Sequence, residues 1–481
     1  MGGPEGATRL DRYFRISARG STVRTELRGG LVTFFTMAYI VVLNPLIIGT
    51  QGDGIEHKML GIGRVAAVTA LVAAVMTIAM GVVGRYPFAI ATGLGLNAFV
   101  AFSIASQMTW PEAMGLVVWE GIVITFFVAT GLRKAILRAI PAELRIAIGV
   151  GIGLFISVIG LVDAGIVRRI PDASNTTVPV QLGATGTLAG WPTAVFVVGL
   201  LLMAGLMARK VRGAILIGII STTVLAIVVE SIVHAGAAGA KNPSGWQLNV
   251  PRWPHKVVGT PDLSLVGHFS LTGGFGRVGA LTAVLLIFTL VLSDFFDTIG
   301  TVVGVAAGGG LLDEKGELPG LGRVLVVDSL AAVAGGTASA SSATAYVESA
   351  SGVGDGARTG LASVLTGGLF VVAMFFTPLV TVVPAEAATP ALVVVGALMF
   401  RQISRLDFSD ISVAIPALLT IVLMPFTYSI TNGIGAGVVS YVFLRVVRGG
   451  AKDVHPLLWI VAVLFLAYFA LHPIRAWLGI G

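Results

Sequence analysis

The stretch TAVLLIFTLVLSDFFDTIGTVVGVA, residues 282–306, is almost unbroken apolar chain with two carboxylates, Asp294 and Asp297, close to its middle. Its 25 residues exceed the roughly 20 that a helix needs to cross the hydrocarbon of a bilayer. A carboxylate at the centre of such a helix costs roughly 2.5–3.5 kcal/mol on the insertion scale, so two cost about 5–7 kcal/mol. Neither can be left facing lipid. The i, i+3 spacing sets both on one helix face, which points into the protein. An acidic pair held there marks a functional site, unless a buried basic partner neutralises it.

The rest of the composition agrees with a membrane protein. The 481 residues are 56% hydrophobic and only 11% charged, with a mean hydropathy of +0.94. A soluble domain carries about a quarter charged residues. The 63 glycines suit close helix packing and unwound segments. The formal charge of +7 reads as a topological signal and not as nucleic-acid binding. The absence of cysteine excludes disulfides, thiolate metal sites and thiol nucleophiles. Nothing in the chain asks for a cofactor.

Residues 1–28 are polar, carry six arginines, and read as a cytoplasmic leader with an interfacial helix around Leu10–Ile16. Spans follow at about Leu31–Gly49 (span 1, with Asn44-Pro45 near its far end), Val65–Val83 (2), Met114–Leu132 (4), Leu144–Val162 (5), Thr193–Met207 (6) and Ala214–Val233 (7). Between spans 2 and 4, PFAIATGLGLNAFVAFSIA holds Gly93, Gly95 and Asn97 within five residues, which suggests an unwound or half-helical span 3. A polar loop, 234–277, precedes the opening stretch, span 8. After Val324–Ala334 (9), Gly335–Gly360 is too small and polar for a lipid-facing helix. It reads as a second broken element, span 10: an extended piece near Ser341–Val347, then a short helix from about Glu348. Spans 11 to 14 fall at about Leu361–Val383, Ala391–Phe400, Ile411–Tyr428 and Ile434–Val447, and a further apolar stretch, Leu457–Leu471, lies interfacially or spans once more.

With the N-terminus inside, cytoplasmic segments hold 22 Lys+Arg and outside loops 8, which favours that orientation. The fold class is therefore an all-α polytopic membrane protein of about 14 transmembrane segments. Seven being odd, two halves of seven spans would be oppositely oriented, a 7+7 inverted repeat. The broken elements, each a short strand plus half-helix, are then the third span of each half (spans 3 and 10). Paired interruptions of that kind point to a transporter site at the membrane midplane.

Half-helix N-termini and unwound backbone offer N–H and C=O groups to a small planar ligand, with carboxylates and an amide setting its orientation. Asn97 and Glu348 fall at the expected starts of the two half-helices, with Asp294 and Asp297 approaching from the side. Each has a plainer reading: Asn97 as a helix cap, Glu348 as a helix-dipole carboxylate. Glu120 and Asp328, also intramembrane acids, read as structural partners. Ser339, Ser341, Ser342 and Thr344 read as packing residues, and Tyr346 as either core or ring contact. The six histidines fall in loops or at span ends without metal-ligand spacing. Phe296-Asp297 followed by the GxGD string Gly352–Asp355 and by Pro416-Ala417-Leu418 has the order of an intramembrane aspartyl protease. Asp355, however, is followed by Gly356, Arg358 and Gly360 and not by a long apolar helix. An anion carrier of this architecture would place a cation near the half-helix ends, where this sequence has acids.

At these residues the sequence resembles the AzgA-like purine permeases of the nucleobase:cation symporter-2, or nucleobase–ascorbate transporter, superfamily. The motifs that carry it are TELRGGLVTFFTMAYIVVLNPLIIG (25–49), ATGLGLNAF (91–99), LSDFFDTIGTVVGVA (292–306), SATAYVESASGVGDGARTGLASV (342–364) and IPALLTIVLMPFTYSITNGI (415–434). The resemblance implies a core domain (29–135 and 278–384, spans 1–4 and 8–11) and a gate domain (136–277 and 385–450, spans 5–7 and 12–14), with 451–481 beyond them. It implies proton-coupled import of adenine, guanine or hypoxanthine across the plasma membrane by an elevator-like motion, often as a homodimer. The family's polar positions match Asn97, Asp297 and Glu348 as substrate contacts. Asp294 lies one turn away as a proton-coupling residue, with Asn44, Thr344 and Tyr346 secondary. Asp297, followed by Thr298-Ile299-Gly300, stands where the uracil and xanthine branches carry a glutamate.

Overall fold

The computed structural model describes residues 8–130, 140–170, 180–184, 186–239, 241–314 and 317–477. Among them, ten helices are long and apolar enough to cross a membrane, and shorter apolar helices complete the set. Span 1 is Val23–Met37 continued, after a tight turn at Ala38-Tyr39, by Ile40–Ile48. Pro45 in its second piece withholds a donor from the carbonyl one turn back, which weakens the helix there. Spans 2, 4, 5, 6 and 7 are Ile62–Gly84, Trp110–Thr130, Ala142–Asp163, Trp191–Ala208 and Ala214–Val233. The opening stretch is the middle of a 29-residue helix, Ala280–Gly308 (span 8), and span 9 is Leu321–Thr337. Spans 11 to 14 are Gly360–Val380, Ala385–Arg405, Ile411–Phe426 and Ile430–Val447.

Both expected interruptions are present. Span 3 is a strand, Ile90–Thr92, then a helix, Leu94–Phe99, which widens into a π-helical turn at Val100–Ile104. Span 10 is a strand, Ala343–Ala345, then a helix, Ser349–Gly354. The leader forms a short helix, Arg9–Phe14, whose Phe14 packs with Ile16 and Leu361. The stretch after Leu457 is a 22-residue helix, Pro456–Trp477. It lies against span 14, where Gly435 leaves room for Phe465 and Phe469.

Spans from opposite halves of the sequence are interleaved. Span 11 packs on spans 1 and 2, and span 4 on spans 8 and 9. Span 5 packs on spans 12 and 13, and span 6 on spans 7 and 12. Glycines set the closeness of these contacts: a Cβ on Gly81 would sit 2.4 Å from the Gly360 carbonyl oxygen, and one on Gly121 2.5 Å from the Val333 nitrogen. With little hydrophobic drive between helices in lipid, such backbone-to-backbone approach is a main source of packing energy.

Candidate functional site

The two broken elements meet. Ile90–Thr92 and Ala343–Ala345 pair antiparallel, with Ile90 opposite Ala345, Ala91 opposite Thr344 and Thr92 opposite Ala343. At membrane depth an unwound backbone must find internal partners, and this pair supplies them. Gly93 N–H donates to the Ser342 carbonyl (3.0 Å) and Tyr346 N–H to the Ala89 carbonyl (2.9 Å), continuing the ladder at both ends. The Thr77 hydroxyl donates to the Ile90 carbonyl and accepts from the Ile90 N–H, both at 2.9 Å. Alanines at 89, 91, 343 and 345 keep the ribbon thin. Ser341, just ahead of the second strand, has φ +78°, a left-handed conformation rare outside glycine that turns the chain out of span 9.

One group of polar side chains around this ribbon is open. Asp297, at the middle of span 8, is exposed although many protein groups surround it, the arrangement of a residue facing an internal cleft. Its charge acts on Tyr39, Tyr346 and Glu348. Glu348, half-buried, occupies the N-cap position of the span 10 half-helix but caps nothing; the Tyr39 hydroxyl donates to its Oε1. Tyr346 donates to the Thr92 carbonyl at 2.6 Å. Exposed Asp297 and half-buried Glu348 are the carboxylate acceptors a ligand here would meet, while Tyr39 and Tyr346 are buried, their hydroxyls engaged with Glu348 and the Thr92 carbonyl.

Asn97 is fully buried and is not a cap. Gly93 takes the N-cap position, which leaves Asn97 one turn inside its helix. Its Nδ2 donates to Thr92 Oγ1 at 3.3 Å, and Oδ1 has no partner among the described residues. Asn44, also buried, ties span 1 to span 2 and to the span 9–10 connection through Thr69 Oγ1 (2.8 Å) and the Ala340 carbonyl (2.9 Å).

A second group is closed. Asp294 shares its helix with Asp297 but is fully buried, and neither oxygen has a hydrogen-bond partner among the described residues. Asp328 accepts from Thr298 Oγ1 (2.6 Å) and from the Ala345 N–H (2.9 Å), and the Thr298 and Thr344 hydroxyls lie 2.6 Å apart. Ser342 donates to Glu120 Oε1 at 3.0 Å. The acids that read as structural partners thus anchor the second strand. Tyr39 is the site neighbour that the sequence does not single out; its place at the joint of span 1 is the signal that would have found it.

The protease constellation does not form. Asp355 lies at the end of the short span 10 helix and accepts from both Arg28 and Arg212. Burial pushes its carboxyl up, but the hydrogen bonds and charges of the two guanidiniums outweigh this and hold it below the usual carboxylate range.

Many membrane-crossing helices, two of them broken and paired over buried acids at mid-depth, define a membrane transport protein. The chain belongs to the permease family: a profile described as "Permease family" (Xan_ur_permease) matches residues 24–435. It is 36% identical over 462 residues to the adenine permease AdeP of Escherichia coli (strain K12), covering 95% of each chain. It is 37% identical over 464 residues to the guanine/hypoxanthine permease PbuG of Bacillus subtilis (strain 168), covering 96% of this chain and 99% of that one. Among solved structures it resembles the transmembrane domain of the cyanobacterial bicarbonate transporter BicA, with TM-score 0.60, 14% identity, and coverage of 86% and 97%. It also resembles SLC26A9, with TM-score 0.57, 12% identity, and coverage of 91% and 67%. These neighbours share the 7+7 fold. The protein is a multi-pass transporter and not an enzyme.

Proposed function

We propose that the protein imports purine nucleobases (adenine, guanine or hypoxanthine) across the plasma membrane in symport with protons. The observation that carries this reading is the cleft in which Asp297 and Glu348 face the paired broken spans with Tyr39 and Tyr346 beside them. A purine presents N–H donors along its edges, and the carboxylates of Asp297 and Glu348 are suited to accept from them. Asn97 ties the first half-helix to the site, and Asn44 and Thr344 support it. The relatives named as adenine and guanine/hypoxanthine permeases support the same substrate class. An anion, as in the bicarbonate transporter of like fold, is disfavoured because the half-helices meet acids here.

Spans 1–4 with 8–11 form a core that carries the base, and spans 5–7 with 12–14 a gate against which it slides, with two copies associating through the membrane. The contact of span 3 with span 5 supports this: Gly95 faces Ile152 and Ile156, and Phe102 packs on Phe155 and Tyr428. These side chains are apolar or aromatic, so this part of the contact moves with few bonds to break. The N-terminus is inside. In support, the leader joins the Arg-bearing connections at one end of the molecule, Arg19 donating to the carbonyls of Arg85 (2.7 Å) and Arg358 (3.0 Å). The test is uptake of radiolabelled adenine, guanine and hypoxanthine in cells lacking purine transport, with and without a protonophore. Saturable uptake that the protonophore abolishes is expected; absence of uptake for all three removes the reading.

A further inference from the structure

Behind the open cleft, Glu120 of span 4, Asp294 of span 8 and Asp328 of span 9 each stand in a middle turn of their helix, at 0%, 0% and 2% exposure. The groups acting most strongly on Asp294 are Asp328 and Glu120, then Thr344 and Asp297; those acting on Glu120 are Ser342 and Asp328. None is basic. Like charges a few ångströms apart repel by several kcal/mol even at an effective dielectric constant of about 20. Three ionised carboxylates at this depth therefore do not coexist.

The hydrogen bonds sort the three. Asp328 accepts from a backbone N–H and a hydroxyl, an arrangement suited to a carboxylate. Glu120 accepts through one oxygen, while its Oε2 and both oxygens of Asp294 have no partner among the described residues. Those are the atoms left to carry protons. Among the described residues no group of three or more His, Cys, Asp or Glu is placed to hold a metal ion.

We propose that Glu120, Asp294 and Asp328 form a proton-holding site separate from the purine-contacting acids, and that its loading sets the position of the span 10 strand. This deepens the symport reading and rests on it. Ser342 and Thr344 alternate along one face of the extended chain, and their hydroxyls, with the Ala345 N–H, reach into the cluster. Tyr346 and Glu348 follow directly in sequence. With protons on Asp294 and Glu120, a single negative charge holds the strand. When a proton leaves this pair to one aqueous side, a second negative charge appears behind the strand, is repelled by the Asp328 carboxylate and draws on the strand's hydroxyls, displacing the segment that leads to Glu348.

The test uses Glu120→Gln and Asp294→Asn, amides that mimic the neutral acids, in the full-length protein reconstituted into vesicles. Three readouts are compared: purine counterflow without a gradient, uphill uptake driven by a pH gradient, and purine-induced proton entry reported by a trapped dye. Both variants are expected to keep counterflow within about twofold of the parent. They are expected to lose uphill accumulation and proton entry, and to show uptake less dependent on pH than the parent's. Parent-like accumulation and pH profile in both would overturn the proposal. So would loss of counterflow in folded protein, which would make the cluster part of the binding or packing machinery. Asp294→Asn leaves the Ser342–Glu120 and Asp328 hydrogen bonds in place and carries the test if Glu120→Gln fails to assemble. If instead the parent shows no purine-induced proton entry, the symport reading itself falls.

Discussion

Glu348 reaches the cleft with one oxygen already taken by the Tyr39 hydroxyl. A hydrogen bond to a charged group contributes about 1.5–3 kcal/mol. Tyr39→Phe is therefore expected to raise the KM for the preferred purine by about tenfold or more, while the protein still accumulates in the membrane; an unchanged KM would remove Tyr39 from the site. Glu348→Gln keeps shape but not titration, and uptake is expected to fall at least about tenfold with a flattened pH profile. Radiolabel uptake across pH checks this, and a parent-like profile would remove the role given to Glu348. At this scale the sequence was legible where a residue type is costly: carboxylates in an apolar run stand out. It was not legible where the residue is ordinary, as with a tyrosine at a helix joint. Asn97 shows a further limit, because the cap position one turn earlier went to Gly93, a choice that only the backbone settles.

Spans 3 and 10 were readable as interruptions because glycines, alanines and serines replaced the large apolar residues that lipid contact requires. Their pairing into one ribbon was not readable, since three residues on each side carry no register signal of their own. Nor was the grip of Arg28 and Arg212 on Asp355, which links the starts of spans 1 and 7 to the end of the span 10 half-helix. If the gate slides past the core, the Arg212 arm of that grip must open each cycle. Both arginines are more than half exposed, at 63% and 55% of the side chain, so the arm is weak and screened by salt. Arg212→Ala is expected to raise the maximal exchange rate by up to about fivefold at low ionic strength, with the difference from the parent vanishing in high salt. Equal rates at low salt would show that the arm does not restrain movement.

Across the whole molecule the two halves of the sequence are stitched together by close backbone approach. Gly30 faces the Ala362 carbonyl, Gly81 the Gly360 carbonyl and Gly121 the Val333 nitrogen. Each joins a first-half span to a second-half one. Gly81→Ala, with its Cβ set 2.4 Å from a carbonyl oxygen, is expected to cost about 1–3 kcal/mol and to lower the melting temperature in detergent by several degrees. No change would mean that spans 2 and 11 yield easily. The abundance of glycine announced dense packing, but which glycines meet which backbone follows from the interleaving. That interleaving has a consequence for how the chain is made. A ribosome that has delivered the first seven spans has placed Ile90–Thr92 in the bilayer with its ladder partner, Ala343–Ala345, still unsynthesised. Those amides wait, shielded by provisional neighbours or water, until the later spans arrive. The centre of the transporter is thus finished among its last parts, and a chain cut between the halves stays a vestibule without a floor.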